Sequence, residues 1–129
     1  MKGRILIVDD EPDVVELVKN RLKANDYEVI TAHDGEEALH KAKTERPNLI
    51  VLDVMMPVIN GYEVCARLKH DKELCHIPIV MLTAKIKYTD RRVAEQCGAD
   101  AYIPKPYSSE ILLDEIDKFL KMKPKRFFF

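Results

Sequence analysis

Two apolar rhythms alternate along the chain. Short uninterrupted runs, Ile5 to Val8, Leu49 to Leu52 and Ile79 to Leu82, read as strands buried on both faces. Tyr27 to Thr31 and Ala101 to Ile103 are weaker runs of the same kind. Between them, apolar residues recur at helical spacing: Val14, Val15, Val18 and Leu22; Ala38, Leu39 and Ala42; Val64, Cys65 and Leu68; Val93 and Ala94; Leu112, Ile116, Phe119 and Leu120. The punctuation agrees with this division. Pro12 suits the first turn of a helix reaching about Ala24, since its missing N–H is harmless there. Asp34 and Glu37 form a capping box for a helix that stops before Pro47. Asn60-Gly61 marks a turn or cap, Gly98 ends a helix spanning about Thr89 to Cys97, and Ser108 or Ser109 caps the last helix. Five strands alternating with five helices through short connections predict an α/β fold, a doubly wound parallel sheet with helices on two faces.

Composition narrows the class. At 129 residues, with 47% hydrophobic and 33% charged residues, the chain suits one globular domain with a core of its own. A net charge of −1 offers no basic field for direct nucleic-acid binding. The four apolar residues after Met1-Lys2-Gly3-Arg4 are too few for a signal-peptide core or a membrane span, so a cytoplasmic location without membrane contact is expected. The three cysteines, Cys65, Cys75 and Cys97, follow no paired spacing, and with His70 and His76 they match no structural zinc pattern. They read as reduced structural thiols, and His33 and His40 have no partner to make them ligands. Residues 1–121 form the expected domain. Residues 122–129, basic and ending in Phe127-Phe128-Phe129, read as a frayed tail, the start of a linker, or an apolar contact for a partner.

The chemistry sits where the strand runs end. Asp9 and Asp10 follow the first run, Asp53 the third, Thr83 the fourth and Lys105 the fifth. In one parallel sheet these ends share the edge where ligands bind. Three converging carboxylates would repel one another, and a hard divalent cation with oxygen ligands resolves that, Mg²⁺ being the natural choice and Mn²⁺ a substitute. A hydroxyl and an ammonium beside such a site fit phosphoryl transfer, with an aspartate as covalent acceptor.

The motifs Ile-Val-Asp9-Asp10-Glu11, Leu-Asp53-Val-Met-Met-Pro57, Asn-Gly61, Leu-Thr83-Ala84-Lys85 and Gly98-Ala-Asp-Ala-Tyr102-Ile-Pro-Lys105-Pro106 stand in order on these elements. With them the chain resembles a bacterial response regulator receiver domain over residues 4 to about 121. The resemblance implies a flavodoxin-like receiver fold with strand order 2-1-3-4-5. It implies that Asp53 accepts phosphate from a histidine kinase or histidine phosphotransfer protein, that Asp10 binds Mg²⁺ directly and Asp9 through water, and that the Met55 carbonyl completes the protein ligands. Thr83 and Tyr102 would be the switch pair, Lys105 would neutralise phosphoryl oxygens, and the Lys105–Pro106 bond would be cis. Met55 and Lys85 would border the path of the hydrolytic water without orienting it, which makes autodephosphorylation slow. The changed surface would be the fourth helix, fifth strand and fifth helix, usable for a phosphorylation-dependent dimer or for an effector or output domain that the residues do not identify.

Three other readings have sequence features against them. A haloacid-dehalogenase-like phosphatase needs a second acid where Met55 stands, and a cap domain. A nucleotide- or flavin-binding domain needs a glycine-rich first loop, and here that loop is Asp9-Asp10-Glu11-Pro12. A pseudo-receiver that only binds partners would have lost one of the acids, Thr83 or Lys105. Turnover of outside substrates is therefore not expected.

Overall fold

The computed structural model describes residues 2–56, 59–83, 97–105 and 107–122, the side chains of Thr83 and Met122 excepted. The predicted helix from Thr89, the residues Pro57, Lys85 and Pro106, and the tail from position 123 onward lie outside the described residues.

The five strands are β1 (Gly3–Val8), β2 (Tyr27–Ala32), β3 (Leu49–Asp53), β4 (Ile79–Thr83) and β5 (Ala101–Pro104). All pair in parallel, in the order β2-β1-β3-β4-β5. Four helices are described: α1 (Pro12–Ala24), α2 (Gly35–Glu45), α3 (Gly61–His70) and α4 (Ser109–Met122). The expected fold class and strand order are therefore observed. Strand ends differ from expectation by one or two residues, because Gly3 pairs with Tyr27, Ala32 with Val8 and Pro104 with Thr83.

The sheet separates two apolar layers. Ile5, Ile7, Val51, Leu82 and Ile103 face α1 and α4, where they meet Val15, Val18, Leu112 and Ile116. Leu6, Val8, Ile50, Leu52 and Met81 face α2 and α3, against Ala38, Ala42, Val64, Cys65 and Leu68. Residues adjacent along one strand thus serve opposite layers, as the period of two requires, and continuous apolar runs are what a sheet covered on both faces needs. Val14, expected inward, is only half-buried, whereas Leu113 is buried beside Leu112.

The caps hold the helices at the angles this packing needs. Asp34 Oδ1 accepts from the Glu37 N–H at 2.8 Å, while the Glu37 carboxylate reaches back to the His33 N–H at 2.7 Å, one residue beyond the usual capping box. Asn60 Oδ1 accepts from the Glu63 N–H at 3.0 Å. Ser108, rather than Ser109, bonds the first turn of α4 through the Ile111 N–H at 3.2 Å. Among the described residues no helix is long and apolar enough to cross a membrane.

Candidate functional site

The parallel register brings the C-terminal ends of β1, β3, β4 and β5 to one edge. Val8 pairs with Leu52, Asp53 with Leu82, and Thr83 with Pro104, so Asp9, Asp53 and Lys105 are neighbours although 44 and 52 positions separate them in sequence. The Asp9 N–H bonds the Ala32 carbonyl at 3.2 Å, and the Val54 N–H bonds the Leu82 carbonyl at 3.0 Å, which fixes both acids at the edge. Asp9 and Asp53 are buried, while Asp10 is exposed. Carboxylate oxygens of all three lie within 4.8 Å of one another.

Lys105 supplies the local positive charge. Its Nζ stands 3.2 Å from Asp53 Oδ1 and 3.8 Å from Asp9 Oδ2. The Met55 N–H points to the same Asp53 oxygen at 3.4 Å. Asp9 Oδ1 accepts from the Glu11 N–H at 2.9 Å, tying the acid to the start of α1. Asp9 Oδ2 has no hydrogen-bond partner among the described residues although it is buried. Burial pushes the Asp9 carboxyl above its usual range, and the Asp53 charge adds to this against the Glu11 N–H and Lys105. Burial likewise raises the Asp53 carboxyl, with Lys105 opposing. Burial alone would lower the Lys105 ammonium, yet Asp53 and Asp9 outweigh it and hold the group above its ordinary value.

Among the described residues one ammonium thus faces three carboxylates, two of them buried, and one buried oxygen lacks a hydrogen bond. A hard divalent cation suits this donor set: it takes carboxylate oxygen, satisfies the orphaned Asp9 atom and lowers the mutual repulsion. The residues fit Mg²⁺.

Gly61 packs against the end of β3 from behind. Its N–H bonds the Val54 carbonyl at 2.9 Å, and a Cβ on it would lie 2.3 Å from the Asp53 carbonyl oxygen and 2.8 Å from Val54 Cα. Only glycine lets α3 start this close to the end of β3. Position 61 was readable in sequence as a turn or cap, but the close approach was not.

Of the other expected site residues, Met55 has its side chain 69% exposed, at the mouth of the cluster beside Asp53. Thr83 closes β4 at the same edge. Tyr102 is half-buried in β5 on the α3 side, two strands from Asp53 with β4 between them. Thus Asp9, Asp10, Asp53 and Lys105 are brought together, whereas Tyr102 lies in β5 and packs against the α2 and α3 layer.

Tyr107 was missed by sequence reasoning. Its hydroxyl is buried without a hydrogen-bond partner among the described residues, and burial together with the Asp9, Asp53 and Glu11 charges pushes it up to about 12. It lines a 390 Å³ pocket with Val14, Leu17, Val18 and, from the acidic site, Glu11 and Lys105. Leu17 is 67% exposed, an apolar side chain at the rim. A tyrosine two residues after the strand-end lysine was the available signal.

A family model described as the response regulator receiver domain matches residues 5–117. The alkaline phosphatase synthesis transcriptional regulatory protein PhoP of Bacillus subtilis is 51% identical over 108 residues, covering 84% of this chain and 44% of that protein. The chain spans about half the length of the curated relatives it matches, 52% in the case of the response regulator MprA of Mycobacterium bovis. Among solved structures, the receiver domain of sensor histidine kinase PA1611 from Pseudomonas aeruginosa, with a magnesium ion coordinated in its active site cleft, superposes with a TM-score of 0.85. It is 27% identical, covering 92% of this chain and 98% of that one.

Proposed function

We propose that this chain, which belongs to the response regulator receiver domain family, accepts a phosphoryl group on Asp53 from a histidine kinase or histidine phosphotransfer protein and thereby switches a partner-binding surface. The observation that carries this is the buried Asp53 carboxylate with Lys105 Nζ at 3.2 Å and the Asp9 and Asp10 carboxylates beside it. Family membership supports a phosphoacceptor in general; the following roles are our reading of these residues.

In the transfer, an Asp53 carboxylate oxygen bonds to phosphorus while the P–N bond to the donor imidazole breaks. The electron pair leaves on the imidazole nitrogen, which takes a proton from solvent. Positioning and charge stabilisation supply most of the catalysis of such transfers. Lys105 moves its attraction from the carboxylate to the phosphoryl oxygens, and Thr83 donates a hydrogen bond to one of them. Asp10, Asp53 and the Met55 carbonyl would hold Mg²⁺ directly and Asp9 through water, and the ion would supply positive charge against the phosphoryl oxygens. Tyr102 rotates inward behind Thr83, and the helix, strand and helix around β5 present the changed surface to an effector, an output domain or a second copy. Met55 and Lys85 offer no carboxylate or amide to orient a hydrolytic water, so the aspartyl phosphate persists for minutes or longer. The apolar pocket of Val14, Leu17 and Val18, which shares Glu11 and Lys105 with the acid cluster, supports protein docking beside Asp53. The domain spans 1–121, with 122–129 as its tail or linker start.

Acetyl phosphate with Mg²⁺ tests the acceptor directly. One phosphoryl group per chain is expected, lost in Asp53→Asn and without divalent cation. Labelling that survives Asp53→Asn would overturn the assignment.

A further inference from the structure

Cys65 lies in α3 with no exposed surface, and Cys97 is 7% exposed where the described chain resumes before β5. The Cys65 thiol lies 3.5 Å from the Cys97 carbonyl oxygen, to which it donates, and the two side chains are close enough to shift each other's ionisation. The Lys69 ammonium, one turn beyond Cys65 in α3, sits close by with its Nζ 2.9 Å from Asp100 Oδ2. The hydrogen bond from Cys65 holds Cys97 below the usual thiol value against its burial, with Lys69 helping. The same contact and burial raise Cys65. One thiol of the pair is thus prepared as the nucleophile and the other as a proton-bearing resolving group, which is the division of labour that disulfide formation needs. Two buried cysteines serving only as small apolar residues would need neither contact. Cys75 stands apart, exposed, with its sulfur 3.8 Å from the Lys72 carbonyl oxygen.

We propose that Cys65 and Cys97 form a reversible dithiol–disulfide site, oxidised by hydrogen peroxide, that ties α3 to the segment leading into β5. The Cys97 sulfur, having released its proton, attacks one peroxide oxygen. The O–O bond breaks, and the departing hydroxide takes up a proton to become water, leaving a sulfenic acid. The Cys65 sulfur then attacks the Cys97 sulfur. The S–S bond forms as the S–O bond breaks, and the hydroxide leaves with the Cys65 proton as a second water. Two thiols are oxidised by two electrons and one peroxide is reduced. A thiol reductant reverses the bond. Tyr102 follows Cys97 by five residues and packs against the same apolar layer as both cysteines, so the bridge restrains the segment that carries it. That consequence rests on the switch role proposed for Tyr102; formation of the bridge does not.

The test uses the full chain carrying Cys75→Ser, treated with equimolar hydrogen peroxide and measured by intact mass. Loss of two hydrogen atoms is expected, restored by dithiothreitol, with proteolysis yielding a peptide pair joined through Cys65 and Cys97. Adding Cys65→Ser or Cys97→Ser abolishes that loss. Because these serine variants place a hydroxyl in the core, a second measurement uses the Cys75→Ser chain alone: phenylarsine oxide, which binds paired thiols, should be taken up once per chain and prevent bridging. Two alkylatable thiols after peroxide treatment, or added oxygen without a bridge, would overturn the proposal. Acetyl phosphate labelling of the reduced chain separates the two readings. Labelling without a bridge refutes the thiol site alone, and a bridge without labelling refutes the phosphoacceptor alone.

Discussion

Gly61→Ala is the sharpest small perturbation of the acceptor. The new methyl group would sit 2.3 Å from the Asp53 carbonyl oxygen, where ordinary contact begins near 3.4 Å, so the atoms must separate by about 1 Å. Neither side yields easily. The Asp53–Val54 backbone is bonded to Leu82 across β4 and to the Gly61 N–H itself, and α3 is held by the Asn60 cap and by buried Val64, Cys65 and Leu68. Overpacking against a rigid neighbour costs about 1–3 kcal/mol, and alanine returns at most about 1 kcal/mol through its better helix propensity. The obstructing atoms are backbone, so the cost wins, with a net loss of about 1–2 kcal/mol. For a domain of this size that lowers Tm by roughly 3–10 °C. Asp53 also moves relative to Asp9 and Lys105, and a misplacement of about 1 Å slows a positioned reaction by up to about 100-fold. Thermal denaturation and the rate of acetyl phosphate labelling at saturating Mg²⁺ read the two effects separately. A Gly61→Ala protein with the parent Tm and labelling rate would refute the claim that the start of α3 sets the acceptor in place.

Four further outcomes are expected. Asp9 and Asp53 have raised carboxyl values in the folded state, so the folded chain binds more protons than the unfolded one, and their contribution weakens stability as pH rises from about 4 through the raised values. Asp9→Asn therefore raises Tm in metal-free buffer, more at pH 8 than at pH 5, by calorimetry; an equal shift at both would contradict the burial of that charge. Mg²⁺ at about 100 times its Kd stabilises the parent chain by about 2.7 kcal/mol and leaves a triple Asp9→Asn, Asp10→Asn, Asp53→Asn protein unmoved in denaturant titrations. Leu17→Glu slows phosphoryl transfer from a cognate kinase at least several-fold while acetyl phosphate labelling keeps its rate; parallel losses would place Leu17 outside donor docking. The aspartyl phosphate half-life is minutes or longer and shortens in Met55→Glu, by release of labelled phosphate, whereas a half-life of seconds in the parent would contradict the roles given to Met55 and Lys85.

Much of this was legible in the residues because each strand carries its own polarity signal. Ile5 to Val8 and Leu49 to Leu52 could be buried on both faces only inside a covered parallel sheet, and that sheet gathers Asp9, Asp10, Asp53 and Lys105 at one edge. The lysine that neutralises Asp53 was invisible as a neighbour, since 52 positions separate them, but its place at a strand end revealed it. What stayed hidden depends on how helices lie against the sheet. The approach of Gly61 to Asp53, the contact of Cys65 with a residue 32 positions away, and the orphaned Tyr107 hydroxyl follow from helix angles and side-chain rotamers, which periodicity does not encode. Leu113 was missed for a related reason: two consecutive leucines on a helix can both be buried where the sheet is wide enough to cover them.

The parallel register also sets where the chain can change length over evolution. A residue inserted into β1, β3 or β5 would turn the following side chains to the opposite layer and carry Asp9, Asp53 or Lys105 away from the edge. The connections at the other edge, around Asn25-Asp26, Arg46 to Asn48 and Asp71 to Pro78, hold no part of the acid cluster. Variation in length should therefore accumulate on that side. A library of single-residue insertions, selected for labelling, would find one end of the sheet permissive and the other silent.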